Sequence, residues 1–149
     1  MTVKNKTIRD PIHGDIKFED VFLGLIEAPE IQRLYNIKQL GFAHLVFPGA
    51  HHTRLEHSLG SYYLASKVGD VLNLGKDERK LVSCAALLHD IGHGPFSHTF
   101  ENVARSVGIS LDHDEVSILL LTGGLSDDCI EQLFPDRSIY DKCINPINS

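Results

Sequence analysis

The chain has 149 residues, 42 % of them hydrophobic and 23 % charged, with a formal net charge of −6. That length buries enough surface for one core without staples, while the acidic balance excludes a general nucleic-acid coat, which needs clustered Lys and Arg to displace phosphate counterions. Cys84, Cys129 and Cys143 form no CxxC pair, fitting neither a disulfide framework nor a zinc ribbon, and no run approaches the ~20 apolar residues that span a bilayer. The expectation is one domain over residues 1–149, in a reducing cytoplasm and away from membranes.

The opening KTIRDPIHGDIKFE predicts a short hairpin, with Asp10 and Gly14 shaping its turn. Pro29 predicts a first helical turn, with Ile31, Leu34 and Lys38 along one side until Gly41 stops the helix. GFAHLVFPGAHH reads as a connecting loop. From Arg54 a helix places Leu55, Leu59 and Tyr62 on one face, while Arg54, His57 and Ser61 recur on another. Tyr62 and Tyr63 read as packing residues rather than a base-stacking platform. Asp77 is positioned to cap the next helix, whose stripe of Leu81, Ala85 and Leu88 ends at His89 and Asp90, with Cys84 as a small buried residue. Gly92, Gly94 and Pro95 then break it.

Further helices are predicted at SHTFENVARSV, with Phe100, Val103, Ala104 and Val107 inward, at DHDEVSILLL, where Asp112 and Glu115 have capping-box spacing, and at SDDCIEQLF. Strand alternation is nearly absent after the hairpin. The expected class is therefore all-α, a helical bundle carrying a short N-terminal β-hairpin.

The stretch HDIGHGPFSH holds His89, Asp90, His93 and His98 within ten residues. An aspartate at the end of an apolar stripe costs several kcal/mol unless it is paired or coordinated, and a metal ion supplies that partner. Neutral imidazole with carboxylate suits first-row divalent ions without choosing among them. His57, on the polar face of the preceding helix, is a natural third ligand, and Arg54 on that face can neutralise a phosphate. The breaks at Gly92 and Gly94-Pro95 argue against reading His89 and His93 as a continuous helical zinc pair. An ion at this place lowers the pKa of a water from 15.7 toward ~7. His93, His98 and His113 are candidates to protonate a leaving oxygen or orient that water, and the spacing does not rank them.

These residues carry a resemblance. DPIHGDIKF, IQRLYNIKQLGFAHLVFPGAHHTRLEHSLG and LLHDIGHGPFSHTFE resemble the HD-domain phosphohydrolases, and within them the deoxynucleoside triphosphate triphosphohydrolases, from Asp10 to about Ser117. The resemblance implies that His57, His89 and Asp90 are metal ligands for Fe, Mn, Zn or Mg. It implies that Arg54 contacts a phosphate and that Gln39 and Leu40 line the deoxyribose. His93 and His98 then stand near the phosphates, and Glu101 with His113 forms an acid and histidine pair, Glu101 replacing the Asp of the animal enzymes. The implied reaction is cleavage of a nucleotide at the α-phosphate, releasing nucleoside and triphosphate.

Two positions depart from the pattern. Glu27, Gln32 and Tyr35 stand where an Asp, Gln and Arg read a guanine activator in the animal enzymes. A fourth ligand, an Asp within a segment like DADRMDYLLRD, has no counterpart here, and Asp127, Asp128, Asp136 and Asp141 lie in a different context. The chain thus reads as the front part of a longer enzyme, stopping before the helix that carries the distal Asp. A catalytically inactive fragment or a regulatory module is the alternative. A bundle lacking later helices exposes apolar surface, which predicts a homo-oligomer.

Overall fold

The computed structural model describes residues 5–110 and 112–124. The hairpin forms as expected, β1 (Asn5–Asp10) pairing antiparallel with β2 (Gly14–Glu19) in a register that runs from Asn5↔Glu19 to Asp10↔Gly14. Its turn is closed by the Asp10 carboxylate, which accepts from Ile12 N at 2.8 Å and His13 N at 2.7 Å, and Gly14 takes the positive φ of 75° that the reversal requires. Alternation along β2 then sends Ile16 and Phe18 into the core.

Helix α1 (Val21–Glu27) adds Phe22 and Ile26 to that core. It is too short to show a clear helical period, and the sequence pattern did not separate it. Pro29 does open α2 (Pro29–Gln32), but the predicted continuation to Gly41 is wrong. The chain tightens into a 3-10 turn over Arg33–Asn36, extends so that Lys38 bridges Thr53, and forms a second 3-10 turn from Gly41 to Leu45. Gly41 starts that turn instead of ending a helix. The cause is tertiary: Ile37 O accepts from Arg54 N at 2.8 Å, and Gln39 N donates to His52 O at 3.1 Å. Those bonds tie the segment to the start of the next helix.

Helix α3 (Arg54–Val71) begins at a Thr53–Glu56 capping box, in which Thr53 Oγ1 accepts from Glu56 N at 3.2 Å and Glu56 Oε2 accepts from Thr53 N. Leu55, Leu59 and Tyr62 are buried on its inner face as predicted. Tyr62 packs against Phe18 and Phe22, and Tyr63 stacks on His13.

Helix α4 (Lys76–Leu88) packs along α3 with its faces assigned differently from the sequence reading. Gly75 is the N-cap and Asp77 lies in the first turn. Ser83 and Leu87 are buried and Cys84 and Leu88 partly so, whereas Leu81 is 71 % exposed and Ala85 is also outward. Apolar residues occur on both sides of this helix, so periodicity cannot choose between them. Packing of Leu87 and Ile91 into the cluster of Ile31, Leu34 and Leu59 decides.

Helices α5 (His98–Ser106) and α6 (His113–Thr122) build a smaller cluster of Ala104 and Val116 with Phe100, Ile109 and Leu120. Val103 and Val107, predicted inward, are exposed. Asp112 caps α6 by accepting from Asp114 N at 2.8 Å, one residue short of the predicted box, and Glu115 is exposed. The described residues are thus mostly helical with one hairpin, and none of their helices is long and apolar enough to cross a membrane. The predicted SDDCIEQLF helix, Cys129, Cys143 and the four later aspartates lie outside the described residues.

Candidate metal centre

The start of α3 and the turn that follows α4 bring His57, His89 and Asp90 together, although they are up to 33 positions apart. His57 Nε2 lies 3.1 Å from His89 Nε2, His89 Nε2 is 3.3 Å from Asp90 Oδ1, and His57 Nε2 is 3.6 Å from Asp90 Oδ2. His89 Nδ1 stands 2.9 Å from Ala86 O, and only a protonated Nδ1 can bond a carbonyl. Its Nε2 therefore offers a lone pair to the cluster, the arrangement expected of a ligating imidazole. Burial foremost lowers the pKa of His57, outweighing the opposing pull of Asp90, and this favours the neutral ring. Two imidazoles and a carboxylate, convergent and with both rings half open to solvent, fit a first-row divalent ion.

Arg54 closes the cluster from inside. It is 3 % exposed, pairs through Nη1 with Asp90 Oδ2, and donates from Nε to Ser97 Oγ at 2.9 Å. Desolvation lowers its pKa while Asp90 raises it. A buried pair of this kind is costly to break from either side, because the survivor remains desolvated.

A second cluster adjoins the first. Glu101 is its hub: Oε1 lies 2.9 Å from His113 Nδ1 and 3.5 Å from His93 Nδ1, and Oε2 lies 3.2 Å from His98 Nδ1. The rings of His93 and His113 stack at 3.8 Å and 12°, with His98 edge-on to both. His93 also faces the first cluster, its Nε2 lying 3.6 Å from Asp90 Oδ1. Burial, aided by Arg54 and the neighbouring histidines, pushes the His93 pKa down to about 2. The ring is therefore neutral at physiological pH.

Three further residues hold this arrangement. Arg33 is buried and donates to the carbonyls of His93, at 2.7 Å, and of Ile91, which fixes the loop after the HD doublet. Its only sequence signal is an arginine between the apolar Ile31 and Leu34. Gly92 permits the close approach of α6: a Cβ there would lie 2.2 Å from His113 O and 2.5 Å from Ser117 N, and Gly92 N donates to Ser117 Oγ at 2.9 Å. Read from sequence, Gly92 breaks the helix and lets the backbone come close to a ligand; in the structure the close neighbour is α6. Ser97 anchors Arg54, and it and Phe96 take positive φ values of 53° and 62°. Two such consecutive non-glycine residues store strain of roughly 1–3 kcal/mol each, as functional loops often do.

Gln39 and Leu40 run beside the N-terminus of α3, and the adjacent Gly41 backs onto the Phe96 carbonyl. Leu40 is exposed, whereas the Gln39 Oε1 atom is buried without a hydrogen-bond partner. On the other side a cavity of about 410 Å³ reaches His57, His52, Glu56 and Ser61. A larger one of about 560 Å³, lined by Arg9, Tyr35, Lys38 and His51, holds neither ligand cluster. Volume does not locate the chemistry here. The convergent donor atoms do.

A sequence model of the HD domain matches residues 54–136, more than half of the chain and a span holding both clusters. The chain belongs to the HD domain family. This HD domain is similar to the human deoxynucleoside triphosphate triphosphohydrolase SAMHD1, at 47 % identity over 97 % of this chain and 26 % of that protein. It is 52 % identical to an uncharacterised protein of Methanocaldococcus jannaschii, over 64 % of this chain and 21 % of the relative. Among solved structures it resembles a phosphohydrolase from Bacteroides thetaiotaomicron, with a TM-score of 0.72 and 38 % identity, over 87 % of this chain and 33 % of that one. The chain spans about a fifth to a quarter of these two curated relatives.

Proposed function

We propose that this HD domain carries the metal-binding and proton-transfer residues of a divalent-metal-dependent hydrolase of deoxynucleoside triphosphates, releasing nucleoside and triphosphate. The observation that carries the reading is the convergence of His57, His89 and Asp90, whose ligand atoms lie within 4.8 Å of one another. The triphosphohydrolases among its relatives support the substrate class.

His57 and His89 through Nε2, and Asp90 through its carboxylate, would hold the ion. When bound, a divalent ion supplies charge for a phosphate oxygen and makes a water acidic enough to attack near pH 7. The chain's own residues do the rest. Arg54 places a guanidinium beside Asp90, where it balances the negative charge of an incoming phosphate in a chain whose net charge is −6. Hydrolysis at the α-phosphorus breaks its bond to the sugar 5′-oxygen, and that oxygen needs a proton. His98 has the most exposed side chain of the second cluster, at 67 %, and Glu101 holds its Nδ1. It is the group placed to deliver the proton. His113, bonded to Glu101, keeps the carboxylate in position, and His93, neutral by burial, stacks on the His113 ring. Gln39 and Leu40 face the sugar.

A second reading is favoured by one observation: among the described residues the first cluster offers three ligands. In that reading the domain is a regulatory or inactive module that binds metal or nucleotide without turnover. Elemental mass spectrometry of the dialysed chain beside Asp90→Asn, followed by assays of dNTP hydrolysis with manganese, separates the two. Near-stoichiometric metal that is lost in the variant, together with turnover, supports the hydrolase. Metal without turnover selects a metal-binding module, and no metal in either protein removes the hydrolase and leaves the inactive module.

A further inference from the structure

The Glu101 cluster has a second property beyond proton delivery. We propose that His93, His98, Glu101 and His113 form a separate binding site for a zinc-like divalent ion, and that filling it removes His98 from proton transfer. The site itself stands on geometry, and the inhibitory consequence rests on the hydrolase reading.

The four side chains each bring one donor atom to within 4.8 Å of the others. Tetrahedral zinc with bonds of about 2.0–2.1 Å to nitrogen and oxygen spaces its ligand atoms roughly 3.3 Å apart. The separations from Glu101, 2.9 Å to His113, 3.2 Å to His98 and 3.5 Å to His93, straddle that spacing. Because the His93 and His113 rings are nearly parallel, both Nδ1 atoms approach the same carboxylate oxygen, Oε1.

An independent observation points to a missing partner. His93 is 1 % exposed, and its buried Nδ1 makes no hydrogen bond among the described residues, standing 3.5 Å from Glu101 Oε1. A buried polar atom left so costs about 1–3 kcal/mol, and a neutral imidazole nitrogen aimed into a nest of donors is relieved by a cation. Three imidazoles and one carboxylate suit zinc, cobalt or nickel far better than magnesium or calcium, which prefer oxygen. The ligand set shares no residue with His57, His89 and Asp90. The most exposed member, His98, is the gate: an ion on Nδ1 takes the place of the proton that faces Glu101, so the ring can no longer become the imidazolium that gives up its Nε2 proton.

Zinc stoichiometry of the full chain after gel filtration tests the site, with cobalt substitution giving a visible spectrum of tetrahedral intensity. Wild type is expected to bind two ions, and His57→Ala and His98→Ala one each. His98→Ala removes an exposed ligand and leaves the core untouched, so its folding is checked simply by its circular dichroism. One ion in both wild type and His98→Ala, with none in His57→Ala, overturns the second site and leaves the first centre standing. One ion in wild type and His57→Ala but none in His98→Ala supports the second site while refuting the first. In the manganese-supported assay, the second equivalent of zinc is expected to slow wild-type hydrolysis at least tenfold, with recovery on mild chelation. An unchanged rate at full occupancy refutes the inhibitory role.

Discussion

The two clusters are neighbours built by different means. His57 stands on α3, and His89 and Asp90 directly follow α4, two long helices of which one is opened by a full capping box and both are packed on the main core. His93, His98, Glu101 and His113 depend on a loop with two positive-φ residues, on one glycine contact and on a small apolar cluster of their own. The first cluster is held by extended packing and the second by a few close contacts. Damage to the first should therefore register mainly as lost charge balance, and damage to the second as lost geometry.

The sharpest way to break that contrast is Asp90→Ala, which leaves the buried Arg54 guanidinium, among the described residues, with a hydrogen bond to Ser97 and no ion pair. A loss of about 3–5 kcal/mol in denaturant unfolding is expected. A loss under about 1 kcal/mol would mean that the pair is not structurally coupled. Gly92→Ala probes the other region. Its new methyl would meet backbone atoms of His113 and Ser117, so α6 must shift at a cost of about 1–3 kcal/mol. The histidine resonances of His93 and His113 should move while those of His57 stay. Shifts spread equally over both clusters would erase the distinction.

The smallest effect is pH-dependent and belongs mainly to the second cluster. In the unfolded chain His93 takes up a proton near its ordinary pKa of 6.5, whereas the folded chain resists it down to about 2. Between those values the unfolded state binds more protons. The stability is thus fully present above pH 6.5 and lost as pH falls, by up to ~1.4 kcal/mol per unit. Unfolding in chelator across pH 7 to 5 measures the slope, and His93→Gln should flatten it. An unaltered slope in that variant would assign the effect elsewhere, His57 being lowered in the same direction.

Much of the frame was legible locally. The DPIHG turn announces its hairpin because an Asx turn and a left-handed glycine are local requirements. The start of α3 is equally plain from Leu55, Leu59 and Tyr62. The length of α2 was misread because hydrogen bonds to the start of α3 decide it, and the inward face of α4 because apolar residues such as Leu81 and Leu87 lie on both of its sides. Within the site, an aspartate beside a histidine at the end of a helix is conspicuous in sequence. A glycine that admits another helix is not.

The sequence by itself determined the helical class, the hairpin and the HD membership, because each follows from short-range pattern or motif order. Only the tertiary structure decided that Arg54 is enclosed against Asp90, that Arg33 pins the loop, and that His113 lies on His93 around a shared Glu101. Those are contacts between residues 8 to 60 positions apart, set by burial and close approach, which no local period encodes.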